Sequence, residues 1–451
     1  MDDLHAAPGG SAWPMRWNAL DQPWRTEPEI GAERQAWLAA RRASGAAAAG
    51  DYPFAGARLS RADVEWLLAT HDDGRGHLGP IAWLGEREWR HDGLDLRGAD
   101  LCGVDLSNLP LTRLLGSLRF AEWSAAKVEQ RARAAIHLSG CNLRETHLEG
   151  ANLRDAHLEG ATLDHAYLQG ARLQGAHLEG AFLAYTRLDE AYLLGASLGG
   201  LPAGSARLAA LCERVADFPT RLPPADLRHV FFDSATHLDG LALGDAAGGW
   251  ATFSDIHWGG ANLAVVRWAA VRALGDERVA RARRDARGQA KSAARRLDEL
   301  HGAVRANRQL ATALRAQGLN EEADRFGYRA QVLQRSVLLR QRKPAAYAFS
   351  LFLDALAGYG YRPLRSLLVY LAMIFAFASA YWLLGPGVGL RLSPPAALVF
   401  SVSSFHGRGF FPSTTLALDS VVTELAAAEA VVGLLIEISF IATFTQRFFA
   451  R

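Results

Sequence analysis

Cysteine is scarce in this chain of 451 residues, which contains Cys102, Cys141 and Cys212 and no CxxC spacing. Three cysteines cannot all pair, so they indicate no disulfide framework and favour a reducing compartment. The chain also does not open with a basic segment followed by a short apolar core, so we expect no cleavable signal. Half of the residues are hydrophobic (50%) and 21% are charged, which argues against general disorder.

The motifs of common enzymes are missing as well. We find no Ser-His-Asp signature and no cluster with metal-ligand spacing. The GPGVG stretch at 385–389 has the glycine spacing of a dinucleotide loop, but it follows an apolar helical segment and not a strand. We therefore expect no enzyme activity, no metal and no cofactor.

What the sequence does have is a leucine at every fifth position across much of 91–270. The series starts at Leu96, is interrupted by an insertion near 116–136, and then runs thirteen times from Leu138 to Leu198. After a second insertion near 199–226 the same phase returns more loosely. A period of five fits neither a helix nor a flat strand. It predicts a solenoid in which each five-residue step sends one leucine and one small residue inward.

The repeats GADLCGVDLS and GANLRDAHLEGATL closely match the pattern A-(D/N)-L-x-x, so 91–270 resembles the pentapeptide-repeat proteins apart from the insertions. The resemblance implies a right-handed, four-sided β-helix with twenty residues per coil, and says little about function. His137, His157 and His177 stand twenty residues apart, so they should stack about 4.8 Å from one another. Two interpretations stay open: a coupled row titrating near pH 6, or an exposed polar ladder without functional weight.

Two further segments flank the repeats. Residues 1–90 should form a small mixed lead-in with two or three helices. Residues 271–345 combine apolar residues at helical spacing with strong positive charge, since seventeen Arg and Lys oppose six Asp and Glu between 278 and 343. They predict a basic antiparallel helical hairpin. Its position ahead of an apolar segment favours anionic lipid headgroups or cytoplasmic retention over nucleic acid.

Apolar residues concentrate in 346–451. Leu367 to Leu384 carries no charge and would give about 27 Å of helix, close to the hydrocarbon thickness of a bilayer, so we predict a first span over 365–385. A second span over 420–446 is apolar except for Glu424, Glu429 and Glu437. If this helix spans the membrane, the face that carries these residues must be turned to water or protein. The alternative to a span is a helix packed on a soluble core.

Arginine and lysine flank the outer ends of both predicted spans. We therefore expect a multi-pass protein of the inner (plasma) membrane with both termini in the cytoplasm. Between the spans lies PPAALVFSVSSFHGRGFFPS. Its ten uncharged residues would make about 15 Å of helix, too short to cross, before a Gly-x-Gly. This order predicts a re-entrant segment.

The order of these segments resembles the two-transmembrane pore-loop channels of the potassium-channel superfamily. The resemblance implies an interfacial helix at 346–360, a pore helix and filter at 394–412, and a homotetramer around one axis. It places Gly433 as a hinge in the second span. It assigns the filter to Ser404, Phe405, His406, Gly407, Arg408 and Gly409.

This filter departs from the potassium pattern T-V-G-Y-G. Phe405 removes the threonine hydroxyl and Arg408 replaces the tyrosine, so we expect a non-selective cation or an anion pathway. We expect Arg408 to point behind the loop and pair with Glu429. Glu437 either adds acidity to an inner cavity or packs against a neighbouring helix.

The predicted function is a tetrameric membrane channel for inorganic ions. Its cytoplasmic repeat domain would regulate gating or bind an unidentified ligand or protein. The alternative is a membrane-anchored interaction scaffold that conducts nothing. A DNA-mimicking solenoid is disfavoured because four basic against eight acidic residues between 137 and 198 give only mild negative charge, so no nucleic-acid partner is expected.

Overall fold

The chain divides into two compact units, Met1–Ala323 and Asp324–Arg451. The computed structural model describes residues 13–44, 52–72, 79–81, 91–216, 218–285, 289–388, 391–407 and 420–448.

Short helices precede the solenoid in the first unit: α1 (Trp13–Ala19), α2 (Ala32–Ser44) and α3 (Arg61–Ala69). A capping box starts α3, because the Ser60 hydroxyl accepts from the N–H of Asp63 and the Asp63 carboxylate accepts from the N–H of Ser60. Just before α3, the N–H of Leu59 donates to the carbonyl of Asp100 (3.0 Å), and the N–H of Asp100 donates to that of Ala57 (2.8 Å). This segment therefore adds a rung at the first edge of the solenoid.

The solenoid is built from parallel bridges between residues twenty apart. They form four rows, for example His137 with His157 and Asn142 with Thr162. The thirteen leucines from Leu138 to Leu198 are each at most 1% exposed and fill the interior. Burying one such side chain contributes roughly 1.5–3 kcal/mol. The predicted coil length and inward leucines are confirmed.

Both predicted insertions contain helices. The first holds α4 (Phe120–Ala125) and α5 (Val128–Ala134), and the second holds α6 (Ala206–Arg214). Farther along, β1 (Gly244–Asp245) and β2 (Gly249–Trp250) pair antiparallel, with Gly244 opposite Trp250. The second insertion packs apolar side chains on the solenoid at Cys102, and these are Leu208, Leu211, Val215, Phe218 and Leu222.

The predicted histidine stack is present. The rings of His137 and His157 lie 4.5 Å apart with 8° between their planes, and His177 follows at 5.2 Å. The second insertion lies over this row, because Arg214 donates to Nδ1 of His137 (2.8 Å). The histidine row is therefore partly covered by the second insertion, and the charge of Arg214 acts on its first member.

A buried ion cluster stands beside the stack. Arg207 of α6 donates to Glu179 (2.9 Å) and also bonds Glu159. Glu159 is fully buried and Glu179 is 4% exposed. The hydroxyl of Ser139 donates to Glu159 as well (2.7 Å). One arginine thus bridges two carboxylates from successive coils.

We expect His137 and His177 to stay neutral at pH 6 and to titrate near pH 4. Burial lowers the pKa of each to about 4, and the charge of His157 acts in the same direction. Because the unfolded pKa is higher, about 6.5, the unfolded chain binds more protons between these values. The stability contribution is thus fully present above pH 6.5 and is lost as the pH falls towards 4.

NMR titration of the imidazole groups in the full chain checks this expectation. The expected pKa of about 4 differs from the value near pH 6 in one of the two interpretations left open by the sequence. A His137→Gln/His177→Gln variant is the control. Between pH 7 and pH 5, its free energy of unfolding should fall less than that of the wild type. Two independent curves centred near pH 6.5 would contradict the expectation.

The far end of the solenoid is closed by α7 (Gly275–Arg281) and α8 (Ala293–Ala316). Asp276 of α7 accepts from the N–H of Phe253 (2.6 Å). Gln317 accepts from the N–H of Leu263 (2.8 Å) and donates to the carbonyl of Ala261 (2.7 Å). Side chains thus satisfy the open backbone edge of the last coil. The first arm of the predicted hairpin is therefore also a solenoid cap, and the division between the units falls within 271–345.

The second unit is helical. After α9 (Asn320–Arg340) come α10 (Pro344–Ala357), α11 (Pro363–Leu384), α12 (Pro394–Phe405) and α13 (Val421–Phe448). Among the described residues, one helix is long and apolar enough to cross a membrane, at Leu364–Gly387 with a mean hydropathy of 2.1. Helices also occupy the segments predicted as pore helix and second span.

Candidate functional site

The short helix α12 lies between α11 and α13. Its first turn contains Pro394 and Pro395, and the Ser393 hydroxyl caps it by accepting from the N–H of Ala396 (3.4 Å). Two apolar clusters hold it in place: Tyr381, Ala397, Phe400, Val422 and Ala426 form one, and Leu356, Ile374, Phe405 and Ile436 form the other. At 12 residues, α12 is about 18 Å long.

A buried carboxylate joins the three helices. Glu429 of α13 is fully buried and accepts from the hydroxyls of Tyr381 in α11 (2.6 Å) and Ser401 in α12 (2.5 Å). A buried polar group without such partners would be costly. Arg408, the partner expected for Glu429, lies outside the described residues, so that pairing stays a prediction. Both Glu429 oxygens already accept hydrogen bonds without it.

Gly433 sits where α13 meets the end of α12. A Cβ added there would collide with the backbone carbonyl oxygen of Phe405. The helix α13 runs without interruption through this position. Gly433 therefore permits a close approach of two backbones, and the hinge proposed for it stays a prediction.

The predicted filter residues begin inside α12. Ser404 and Phe405 are buried, and the Phe405 ring meets that of Tyr370 at 5.0 Å. His406 follows as the C-cap, and Gly407 is left-handed with φ of +66°. Arg408 and Gly409 lie outside the described residues. The Phe405 side chain thus belongs to the helical core.

The C-cap histidine contacts the third carboxylate of α13. Nε2 of His406 lies 3.2 Å from Glu437, and Nδ1 lies 2.8 Å from the carbonyl of Val402. The Val402 carbonyl and the Glu437 carboxylate are acceptors, and the Tyr370 hydroxyl also lies 3.4 Å from Nε2. Glu437 thus contacts the C-cap of α12, and both roles considered for it stay predictions.

A second polar centre, which the sequence analysis missed, lies at Asp354 of α10. Its carboxylate accepts from Arg335 (2.8 Å) and from Tyr328 (3.0 Å), both in α9. Arg365 at the start of α11 donates to the backbone carbonyl of Asp354 (2.9 Å). Asp354 is the one acidic residue of α10, and an isolated charge in an apolar helix is the signal that would have found it.

A sharp turn separates α10 from α11. That this segment lies at a membrane interface stays a prediction. Gly358, Tyr359 and Gly360 all have positive φ, so the chain reverses sharply before Pro363 begins α11. The guanidinium of Arg362 lies 4.5 Å from the centre of the Tyr328 ring. Large apolar side chains of α10 remain exposed, namely Phe349, Leu351 and Phe352.

We expect Asp354→Asn to destabilise the second unit by about 1–3 kcal/mol. Burial raises the pKa of Asp354, but hydrogen bonds from Arg335 and Tyr328 and the charges of Arg335 and Arg365 outweigh it and hold the pKa below its usual range. The contribution of the carboxylate is thus present above about pH 4 and is lost at lower pH. Thermal unfolding in detergent measures the loss. Glu424→Gln, which neutralises an exposed carboxylate, is the control and should unfold like the wild type; equal shifts would contradict the expectation.

Comparison with known proteins identifies the repeats. Residues 136–175 and 171–201 match the family model of pentapeptide repeats in eight copies. A search of curated proteins found no significant match.

Several solved structures are similar at low identity. Rfr23, a pentapeptide repeat protein from the cyanobacterium Cyanothece 51142, is 22% identical over 36% of this chain and 90% of its own, with a TM-score of 0.20. QnrB1, a plasmid-mediated fluoroquinolone resistance protein, is 15% identical over 39% and 76%, with a TM-score of 0.20. A pentapeptide repeat protein from the Arabidopsis thaliana thylakoid lumen is 23% identical over 26% and 74%, with a TM-score of 0.14. Residues 136–201, which form the central coils of the solenoid, are a pentapeptide-repeat segment.

Proposed function

We propose that this protein is the subunit of a pore-loop ion channel in the inner (plasma) membrane, with the pentapeptide-repeat unit in the cytoplasm. The observation that carries the proposal is the position of α12. This apolar helix is too short to cross a bilayer, yet its end meets Gly433, near the middle of the 28-residue helix α13. We propose that α13 spans the bilayer beside α11. The helix α12, which stops halfway along α13, would then be re-entrant, with about −0.5 charge at its C-terminal end.

The outer surface of the second unit supports a membrane setting. The helix α11 exposes Leu364, Leu368, Phe375 and Leu383 at 58–73%, and α13 exposes Val431, Leu434, Ile438 and Ile441 at 56–63%. Soluble monomers rarely expose contiguous apolar patches beyond a few hundred Å². Lipid and further copies of the chain would cover these faces.

Conduction requires several copies, since one filter loop cannot enclose an ion. We propose four, following the pore-loop channels that the segment order resembles. Because Phe405 offers no hydroxyl and its ring is buried, we propose a pathway without potassium selectivity. Glu429 would hold the three helices of each subunit together, and His406 with Glu437 would tie the filter end of α12 to α13.

Planar-bilayer recording of the purified full-length protein tests the proposal. We expect discrete single-channel currents, and bi-ionic reversal potentials would then assign the ion class. Protein that inserts, as shown by protease protection in liposomes, but passes no current would overturn it.

A second candidate, a membrane-anchored interaction scaffold, is favoured by one observation. Apolar side chains of successive coils are 36–46% exposed on the solenoid, and these are Tyr167, Phe182, Tyr185, Tyr192 and Leu194. Aromatic residues are enriched at protein interfaces. The scaffold proposal predicts no current, together with a partner whose binding is weakened by Tyr185→Ser and Tyr192→Ser.

A further inference from the structure

A cavity of about 230 Å³ lies on the solenoid beside the first insertion. Its walls come from three successive coils and from the start of α4. Four arginines line it together with Asp92, the one carboxylate among the described lining residues, and the arginines are Arg113, Arg119, Arg154 and Arg172. Arg119 is paired with Asp92, and among the described residues the other three lining arginines form no salt bridge with a carboxylate of the lining.

The most buried of these groups is fixed in position. Arg154 is only 3% exposed, and its Nη1 donates to the Asn152 side-chain oxygen (2.9 Å). Asn152 is itself oriented, because its nitrogen donates to the carbonyls of Ser117 and Leu118 (both 2.9 Å). Across the described ranges, Nε of Arg154 has no hydrogen-bond partner, and the same holds for Nε of Arg113. Buried donors of this kind need an acceptor.

The positive charges around the cavity repel one another. Burial and the neighbouring charge of Arg172 lower the pKa of Arg154 to about 10, although the charge of Asp155 acts in the opposite direction. Burial also lowers the pKa of Arg113; the charge of Asp92 opposes this effect, and that of Arg172 adds a smaller contribution in the same direction as burial. An anion placed among these groups would remove the repulsion and accept from the unpartnered donors, and guanidinium groups match the oxygens of phosphate and carboxylate.

We propose that this cavity is a binding site for a small phosphate monoester. Its volume is that of about eight water molecules and lies below the range of drug-sized ligand sites. It therefore suits a phosphate group carrying a substituent of a few carbon atoms. The Phe120 ring, 5.5 Å from the Arg154 guanidinium, closes one wall and would contact that substituent. The site belongs to the first unit alone and does not depend on ion conduction.

Calorimetric titration of the full-length protein in detergent tests the assignment at constant ionic strength. Glycerol 3-phosphate is the soluble probe, dioctanoyl phosphatidic acid tests a lipid source of the same group, and glycerol is the uncharged control. We expect at least one phosphate ester to bind and glycerol not to bind. Arg172→Gln and Arg154→Gln should each weaken binding about tenfold or more, since a hydrogen bond to a charged group is lost.

Arg187→Gln is the matched control, because Arg187 is an exposed solenoid arginine paired with Asp189 outside the cavity; it should bind within twofold of wild type. Thermal unfolding of each variant without ligand separates loss of binding from loss of folding, and Arg172, being exposed, can be replaced without burying a new group. Absence of binding to both esters would overturn the proposal, as would an Arg172→Gln variant that is folded and binds as tightly as Arg187→Gln.

Discussion

Gly433→Ala is expected to abolish conductance and to destabilise the second unit, although alanine is the better helix former. In an exposed helix this change would stabilise by up to about 1 kcal/mol. Here the new Cβ meets the carbonyl oxygen of Phe405, which is backbone and cannot rotate away. Overpacking typically costs 1–3 kcal/mol or more. The end of α12 must therefore shift, and the proposed filter that begins there would be displaced.

Thermal unfolding and single-channel recording of the same preparation measure the two effects separately. Gly387→Ala is the control, because a Cβ there meets nothing within 4 Å, and it should melt and conduct like the wild type. A Gly433→Ala protein with an unchanged melting temperature would refute the close packing. A lower melting temperature in a protein that never conducts would support the packing and count against the channel.

The solenoid could be predicted because its signal is local and repeated. Each leucine from Leu138 to Leu198 follows from the same five-residue step. The twenty-residue coil, and with it the histidine stack, was implied by the resemblance to pentapeptide-repeat proteins. The cover over that stack could not be predicted. Arg207 lies in an insertion without periodicity, and it meets Glu159 across 48 positions of sequence.

The helical segments of the second unit were predicted in outline, because apolar length and proline position are also local properties. Their polar contacts were not. Arg408 was expected to pair with Glu429 because the side chain between the glycines points behind the loop in the channels that the segment resembles. The structure gives it the hydroxyls of Tyr381 and Ser401, which are side chains of otherwise apolar helices.

The end of the solenoid shows the same limit. Helical spacing and charge predicted that α8 is one arm of a basic hairpin. The structure shows that it also caps the solenoid, because Gln317 binds the backbone of the last coil. A single glutamine carries no periodic signal. Its role follows only from the need to cover an unpaired edge.

Arg207→Ala should produce the largest loss of stability in the first unit, about 3–5 kcal/mol at neutral pH. The change leaves Glu159 and Glu179 buried without their shared counter-charge, and removing one partner of a buried ion pair typically costs this much. Urea unfolding measures the loss. Arg187→Ala breaks an exposed pair with Asp189 and serves as the control, where we expect about 1 kcal/mol or less.

The pH dependence of this loss distinguishes a charge effect from lost packing. Burial by itself raises the pKa of Glu159, but its contacts with His157, Arg207 and Ser139 outweigh burial and lower the pKa to about 2. Without Arg207, Glu159 is protonated at a higher pH than in the wild type. As the pH falls to about 4, Glu159 becomes neutral, and the absence of the arginine charge then costs less stability. The difference between variant and wild type should therefore be largest near pH 7 and shrink on acidification. Glu159→Gln in the Arg207→Ala background should recover part of the loss at pH 7. A loss that is equal at both pH values and unaffected by Glu159→Gln would show that Arg207 acts by packing alone.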